Sequence, residues 1–176
     1  QALLSVDEMY QADALAVAGG VASLDLMEAA GAAISAEIQN RWQPRPVVVL
    51  AGPGNNGGDG FVVARLLAEQ GWPVRLALLG EPSNLKGDAA NNAERWNGDV
   101  KPLAPSVLDG GPLVVDALFG AGLARPLDGD ALKCILRIND DALACVSIDM
   151  PSGIHGDSGE ILGDAPKATL TVTFFR

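Results

Sequence analysis

Carboxylates lie at or beside the ends of several apolar runs that are typical of buried β-strands. Asp116 and Asp149 each fall at the end of such a run, and Asp59 lies in a glycine-rich segment after an earlier one. In a parallel sheet the carboxyl ends of the strands share one edge, where like charges held together oppose folding. Acids in such places usually serve function. The sequence therefore predicts one functional site at which these carboxylates converge.

The glycine-rich segment joins the first apolar run to a helix-like run. Residues 52–57 match the pattern G-x-G-x-x-G, and Glu81 follows the next apolar run, where an acid binds ribose in dinucleotide folds. Free N–H groups and the helix dipole at such a turn favour an anion, although a turn that only permits packing is the alternative. Asn55, Asn56 and Asp59 exceed what a pyrophosphate loop needs. If Asp59 caps the helix, it competes with phosphate for the same donors.

A second glycine turn follows the run that contains Asp116, and this turn carries a cation. Gly120 and Gly122 would let the backbone approach a phosphate, and Arg125 would pair with it through two hydrogen bonds. The net charge of −10 argues against a nucleic-acid or anionic-membrane surface, so any phosphate ligand requires local groups of this kind. A solvated arginine is the alternative.

Asn56, Asp116 and Ser152 follow three different strands, and each offers an oxygen atom. Only Asp116 is charged. Magnesium normally keeps waters and carboxylates or phosphates, and calcium takes about six to eight oxygens, usually with more negative charge. The set is therefore better suited to a weakly hydrated monovalent cation.

Apolar runs alternate with helix-like runs from residue 47 onwards. This alternation predicts parallel βαβ units, and the near-continuous apolar strands predict a sheet covered on both faces. We therefore expect an α/β fold with an open, mostly parallel, doubly wound sheet. The predicted strands are 47–51, 73–79, 99–103, 113–117, 143–149 and 168–175, and the predicted helices are 61–70, 85–97 and 130–138.

Residues 1–40 have the spacing of two helices that cover the sheet. The stretch Ser5–Glu8 has the form of a capping box, and Ser23 or Asp25 would cap the second helix. The small residues over 29–33 would allow close packing on the sheet or on another subunit.

Cys134 and Cys145 are too few for a disulfide framework and are typical of buried thiols in a reducing compartment. No basic region followed by an apolar one marks a signal peptide, and no apolar run has the length of roughly 18–20 residues that spans a bilayer. We expect a cytoplasmic protein.

Four motifs, taken in order, resemble those of one family. They are Leu26-Met27-Glu28-Ala29-Ala30-Gly31, the segment 51–60 with AGPGNNGGDG, the segment 115–123 with VDALFGAGL, and the segment 148–153 with IDMPSG. The chain resembles the YjeF N-terminal domain family, the NAD(P)H-hydrate epimerases, through essentially its whole length. The resemblance implies a Rossmann-like, three-layer α/β/α sandwich that often forms a homodimer.

The resemblance also implies roles for individual residues. Potassium would be held through Asn56, Asp116 and Ser152, in agreement with the oxygen set described above. The residues implied to contact the hydrated dinucleotide are Asn55, Asn56, Gly57, Gly58, Asp59, Gly120, Ala121, Gly122, Leu123, Ala124, Arg125, Pro126 and Asp149.

The family reaction interconverts the R and S hydrates of NADH or NADPH (NADHX and NADPHX) at C6 of the ring, as repair of nicotinamide nucleotides. Expulsion and re-addition of the C6 hydroxyl require an acid and a base. Asp149 is our first candidate for this work and Asp59 the second, because Asp116 would be occupied by the ion.

We expect residues 1–176 to form a single domain of this type that lacks its C-terminal end. In many bacteria such a domain is fused to a dehydratase domain, which this sequence does not contain. Two alternatives remain: an NAD-dependent dehydrogenase that uses Glu81, and a non-catalytic dinucleotide-binding or scaffold domain. Against the dehydrogenase, the sequence shows no His–Asp pair or Tyr–Lys motif that would donate a proton.

Overall fold

The computed structural model describes residues 4–174, which form a six-stranded, all-parallel sheet with the order β3-β2-β1-β4-β5-β6. The strands are β1 (Val47–Ala51), β2 (Val74–Leu78), β3 (Val100–Pro102), β4 (Leu113–Ala117), β5 (Cys145–Ile148) and β6 (Leu170–Val172). The helices are α1 (Val6–Ala18), α2 (Ser23–Arg41), α3 (Asn55–Glu69), α4 (Gly87–Glu94) and α5 (Gly129–Asp140). This is the predicted doubly wound α/β/α sandwich.

Side chains of the strands alternate between two hydrophobic layers. Val47, Val49 and Ala51 of β1 pack on one face with residues of α2, α3 and α4. Val48 and Leu50 pack on the other face with residues of α5. All five residues of β1 are fully buried, so a continuous apolar run is what this position in the sheet requires.

The strand order reverses between β1 and β4, which pair directly with Leu50 opposite Asp116. From this pair, β2 and β3 extend to one side of the sheet, and β5 and β6 extend to the other. In doubly wound sheets the crevice beyond the carboxyl ends of the strands at such a reversal takes the ligand. The segments that follow β1, β4 and β5 therefore lie at the expected binding edge.

Helix α2 packs on α3 through small residues and one ion pair. A Cβ atom on Gly31 would lie 2.4 Å from Cγ1 of Val62, so only glycine permits this approach. Glu28 accepts hydrogen bonds of 2.6 and 2.7 Å from Nη2 of Arg65 on α3. In this structure, part of the Leu26–Gly31 motif thus joins two helices of the same chain.

Helix α1 is not the covering helix that the spacing predicts, because it buries none of its residues. The predicted capping box at Ser5 and Glu8 is present, with both of its hydrogen bonds. The predicted cap of α2 is wrong: Ala22 is the N-cap residue, no side chain caps the helix, and Ser23 and Asp25 lie inside it.

Further boundaries also differ from the prediction. Helix α3 begins at Asn55 rather than Phe61, because the glycine-rich segment itself takes up helical geometry. The helix predicted over 85–97 is shorter, because α4 spans only Gly87–Glu94, and a separate 3-10 turn over Pro82–Asn84 precedes it. Strand β6 ends at Val172, and the predicted end at Phe175 lies outside the described residues.

Both cysteines are buried and free, as predicted. Burial raises the pKa of the Cys134 thiol to about 11 and that of Cys145 well above its ordinary value, so neither is primed for reaction. Over residues 4–174 no single helix has both the length and the apolar character to cross a membrane. Helices α1 and α2 meet both criteria only when they are taken together, and the pair is bent by 119°.

Candidate active site

A cavity of about 540 Å³ lies at the carboxyl ends of β1, β4 and β5. It combines the turn after β1, the turn after β4, the end of β5 and one side of α1. Its lining residues are Met9, Tyr10, Asp13, Pro53, Gly54, Asn55, Asn56, Asp59, Leu118, Phe119, Gly120, Ala121, Gly122, Leu123, Ala124, Arg125, Asp149 and Phe174. The structure therefore brings together most of the residues predicted to contact substrate.

The first turns of α3 supply Asn55, Asn56 and Asp59 to this cavity. Gly54 is the N-cap residue, and no side chain caps the helix. Asp59 is only 3% exposed and lies inside the helix, so the alternative in which it caps the helix does not apply. Gly57 and Gly58 do not line the cavity, because they face the turn after β1 and helix α2 instead.

The turns after β1 and β4 touch through their backbones. A Cβ atom on Gly52 would lie 1.8 Å from the carbonyl oxygen of Leu118, and one on Gly57 would lie 1.9 Å from the carbonyl oxygen of Gly52. The Gly52 N–H donates to the carbonyl oxygen of Ala117 at 2.9 Å. The glycine pattern thus serves the close packing of two turns and a helix at the edge of the sheet.

Asp149 lies at the end of β5, half-buried on the cavity wall. Its φ of 65° places it in the left-handed region, which is uncommon for any residue except glycine. The Ala121 N–H donates to its Oδ2 at 3.0 Å, and a Cβ atom on Gly120 would lie 2.7 Å from the same oxygen. Backbone strain of this kind clusters at functional sites, where the surrounding structure holds the residue in place.

Asp116 is fully buried and is not among the cavity-lining residues. Its carboxylate accepts hydrogen bonds from the Ser152 hydroxyl at 2.6 Å, from the Ser152 N–H at 2.9 Å and from the Ser147 hydroxyl at 3.0 Å. Burial raises the pKa of Asp116, and these hydrogen bonds oppose the shift. Within residues 4–174, no arginine or lysine forms an ion pair with it.

The Asn56 side chain lies close to Gly120, in the turn after β4. A Cβ atom on Gly120 would lie 3.4 Å from Oδ1 of Asn56, across from Asp149. The Asn56 Nδ2 atom is buried without a hydrogen-bond partner in the described part of the chain. Such an orphaned buried amide is uncommon and calls for a ligand that the protein itself does not provide.

The assembled cavity combines three carboxylates, those of Asp13, Asp59 and Asp149, with the guanidinium of Arg125. Over residues 23–176 the sequence matches the family described as YjeF-related protein N-terminus. The chain belongs to this family. The match covers all four motifs and each predicted site residue, including Asp149.

Relatives of this YjeF-type domain carry names that describe one activity. The chain is 43% identical to an NAD(P)H-hydrate epimerase of Rhodobacter capsulatus, over 99% of this chain and 88% of that protein. It is 40% identical to a bifunctional NAD(P)H-hydrate repair enzyme of Coxiella burnetii, over 95% of this chain but only 35% of that longer protein.

The crystal structure of the yeast protein ynu0 shares the fold of this YjeF-type domain, with a TM-score of 0.78 at 23% identity. The likeness covers 98% of this chain and 80% of the yeast chain. At this level of identity the comparison supports the architecture alone.

The oxygen atoms near Asp116 in the YjeF-type domain fit a monovalent cation. The Ser152 hydroxyl lies 2.6 Å from Asp116 Oδ1 and 3.1 Å from the Phe119 carbonyl oxygen, so three oxygens lie close together beside one buried charge. The set offers one carboxylate and otherwise neutral oxygens, which suits potassium better than magnesium or calcium.

Several lining residues were not found by reasoning from the sequence. Met9, Tyr10 and Asp13 come from α1, and Phe174 comes from the segment after β6. The Asp13 Oδ1 atom is buried without a hydrogen-bond partner among residues 4–174. The i, i+4 spacing of Met9 and Asp13 places them on one helix face, but nothing in the sequence indicates that this face meets the cavity.

Proposed function

We propose that this chain is an NAD(P)H-hydrate epimerase, which interconverts the R and S forms of hydrated NADH and NADPH in the repair of nicotinamide nucleotides. The observation that carries the proposal is Asp149, a strained, half-buried carboxylate on the cavity at the strand-order reversal. The names of the relatives at about 40% identity agree with it.

In this mechanism the Asp149 carboxyl group gives a proton to the C6 hydroxyl, which leaves the ring as water. The ring is then a cation, and the Asp149 carboxylate and the neighbouring Asp59 stabilise it by their negative charge. Water adds to the opposite face of C6 and returns a proton to a carboxylate, which restores the starting state with inverted configuration. The Ala121 N–H holds Oδ2 of Asp149 in position, at 3.0 Å.

We propose that the pyrophosphate of the substrate binds at Arg125. Among the residues that the structure describes, Arg125 is the only lysine or arginine that lines the cavity. Its side chain is 74% exposed. A Cβ atom on Gly120 would lie 2.7 Å from Oδ2 of Asp149, and one on Gly122 would lie 2.6 Å from the Tyr10 hydroxyl oxygen, so side chains already fill the space beside these two glycines. Because the net charge of the whole chain is −10, the pyrophosphate requires this local cation.

A test of the function uses a pool of NADHX that is enriched in one epimer. We expect the purified protein to restore the equilibrium ratio of the two epimers, measured by chromatography, without consuming the pool. A binding or scaffold domain would leave the ratio unchanged. A dehydrogenase would instead change nicotinamide absorbance when it is mixed with NAD and an alcohol.

We propose potassium as the cofactor, held through Asn56, Asp116 and Ser152. When bound, the ion supplies positive charge that offsets the buried Asp116 carboxylate and fixes the turn after β4. We expect exchange of potassium for tetramethylammonium at equal ionic strength to lower both the melting temperature and the epimerisation rate. Equal melting temperatures in the two salts would contradict this assignment, and the melting experiment does not depend on activity.

We propose further that the protein acts in the cytoplasm, as its two buried free thiols suggest. We also propose that the protein forms a homodimer and that it cooperates with an NAD(P)H-hydrate dehydratase. The second is supported by the bifunctional repair enzymes, of which this chain matches about a third of the length.

A further inference from the structure

We propose that a second cavity binds the adenosine half of the substrate, and that Glu81 there selects NADHX over NADPHX. The inference rests on the proposed epimerase function. The second cavity measures about 340 Å³ and adjoins the first, with which it shares Pro53, Phe119, Leu123 and Arg125. Two adjoining cavities with a common wall match a ligand made of two nucleosides.

Arg125 determines how such a ligand lies across the two cavities. Among residues 4–174 it is the one lysine or arginine that lines either cavity. Its nearest acid, Asp128, is 4.0 Å away and 80% exposed, a surface pair that leaves the guanidinium available to a ligand. The anionic pyrophosphate therefore binds at the common wall, and one nucleoside extends into each cavity.

The residues that line the two cavities determine which half of the substrate binds in which cavity. Asp149 lies in the first cavity, so the ring that reacts must lie there, and the adenosine half falls to the second. Apolar side chains and three polar ones, one of which is Asp128, line the second cavity beyond the shared wall. They include Leu79, Leu127 and Ala131, and Glu81 and Asn84.

Glu81 follows β2 by three residues and is exposed on the wall of the second cavity. In doubly wound dinucleotide folds an acid at the end of the second strand accepts a hydrogen bond from the adenosine 2′-hydroxyl. A 2′-phosphate removes that donor and sets an anion against Glu81, with Asp128 as a second negative charge nearby. Both effects favour the substrate without the phosphate.

The test compares kcat/KM for NADHX, NADPHX and hydrated NMNH, which lacks the adenosine half. We expect the wild type to favour NADHX over NADPHX about tenfold, the effect of one charge-assisted hydrogen bond. Glu81→Gln lowers the ratio of kcat/KM for NADHX to that for NADPHX to about twofold. Glu81→Arg reverses the preference, because a cation attracts the 2′-phosphate. Neither variant changes the rate with hydrated NMNH. The control Glu94→Gln, at the exposed end of α4, keeps the wild-type ratio.

Three results would overturn the inference: no preference for NADHX in the wild type, the same ratio in the Glu81 variants, or an equal loss with hydrated NMNH. If the wild type epimerises none of the substrates, the proposed function itself fails. Calorimetry with ADP-ribose and its 2′-phosphate then decides the matter separately. Binding of ADP-ribose that weakens in Glu81→Gln retains the second cavity as an adenosine site, and absence of binding rejects it.

Discussion

Replacement of Asp149 by asparagine is expected to lower the epimerisation rate by about 100-fold or more while the protein stays folded. Asparagine has the same shape but cannot carry a proton between the C6 hydroxyl and water. It also tolerates the left-handed backbone at φ 65° better than most residues, so the end of β5 keeps its conformation. Initial rates from a single NADHX epimer, together with a thermal melt, measure the two effects separately.

Asp140→Asn is the matched control for this experiment, because Asp140 is exposed at the C-terminal end of α5, away from the carboxyl edge of the sheet. Its rate should equal that of the wild type. Near-normal turnover in Asp149→Asn would remove Asp149 from the acid–base role. The same substitution at Asp59 would then be examined, since its buried carboxylate lines the same cavity.

The sheet could be predicted from the sequence because its strands are buried on both faces. Val47–Ala51 is a continuous apolar run, Leu113–Ala117 is apolar except for Asp116, and the structure gives β1 and β4 these same limits. In these two strands every position is buried, so there is no alternation to misread, and Asp116 is the one polar residue among them. The edge at which the turns after these strands meet follows from the parallel order alone.

Contacts between distant segments could not be predicted in the same way. The spacing in α1 indicates an amphipathic helix, but Tyr10 and Asp13 line the cavity instead of covering the sheet. Aspartate is a residue type that often caps helices, but α3 begins at Asn55, four residues before Asp59, because Asn55 and its neighbours take helical geometry. The left-handed φ of Asp149 likewise depends on its tertiary surroundings and leaves no mark in the sequence.

The glycines after β1 have a different role in the structure from the one that the sequence pattern favours. The pattern over 52–57 favours a phosphate-binding turn, with close packing as the alternative. In the structure, neighbouring backbone atoms occupy the space that a Cβ atom on Gly52 or Gly57 would need. The glycines therefore bring the turn after β1, which carries Asn56, against the turn after β4.

Gly52→Ala is expected to lower the free energy of unfolding by at least about 3 kcal/mol, because overpacking against rigid backbone costs more than against a side chain. The added Cβ would lie 1.8 Å from the Leu118 carbonyl oxygen and 2.7 Å from its carbonyl carbon. The turns after β1 and β4 must then separate, which also removes Gly120 from Asn56 and opens the cavity. Urea unfolding followed by circular dichroism measures the loss.

Gly54→Ala, two residues along the same turn, is the matched comparison. Its Cβ would meet nothing within 4 Å, and its φ of −106° suits any residue, so we expect a change within about 1 kcal/mol. If both variants unfold at the same urea concentration as the wild type, the two turns are not in contact. The cavity that depends on that contact would then lack the wall on which Asn56 and Asp149 face each other, and the acid–base assignment would lose its structural basis.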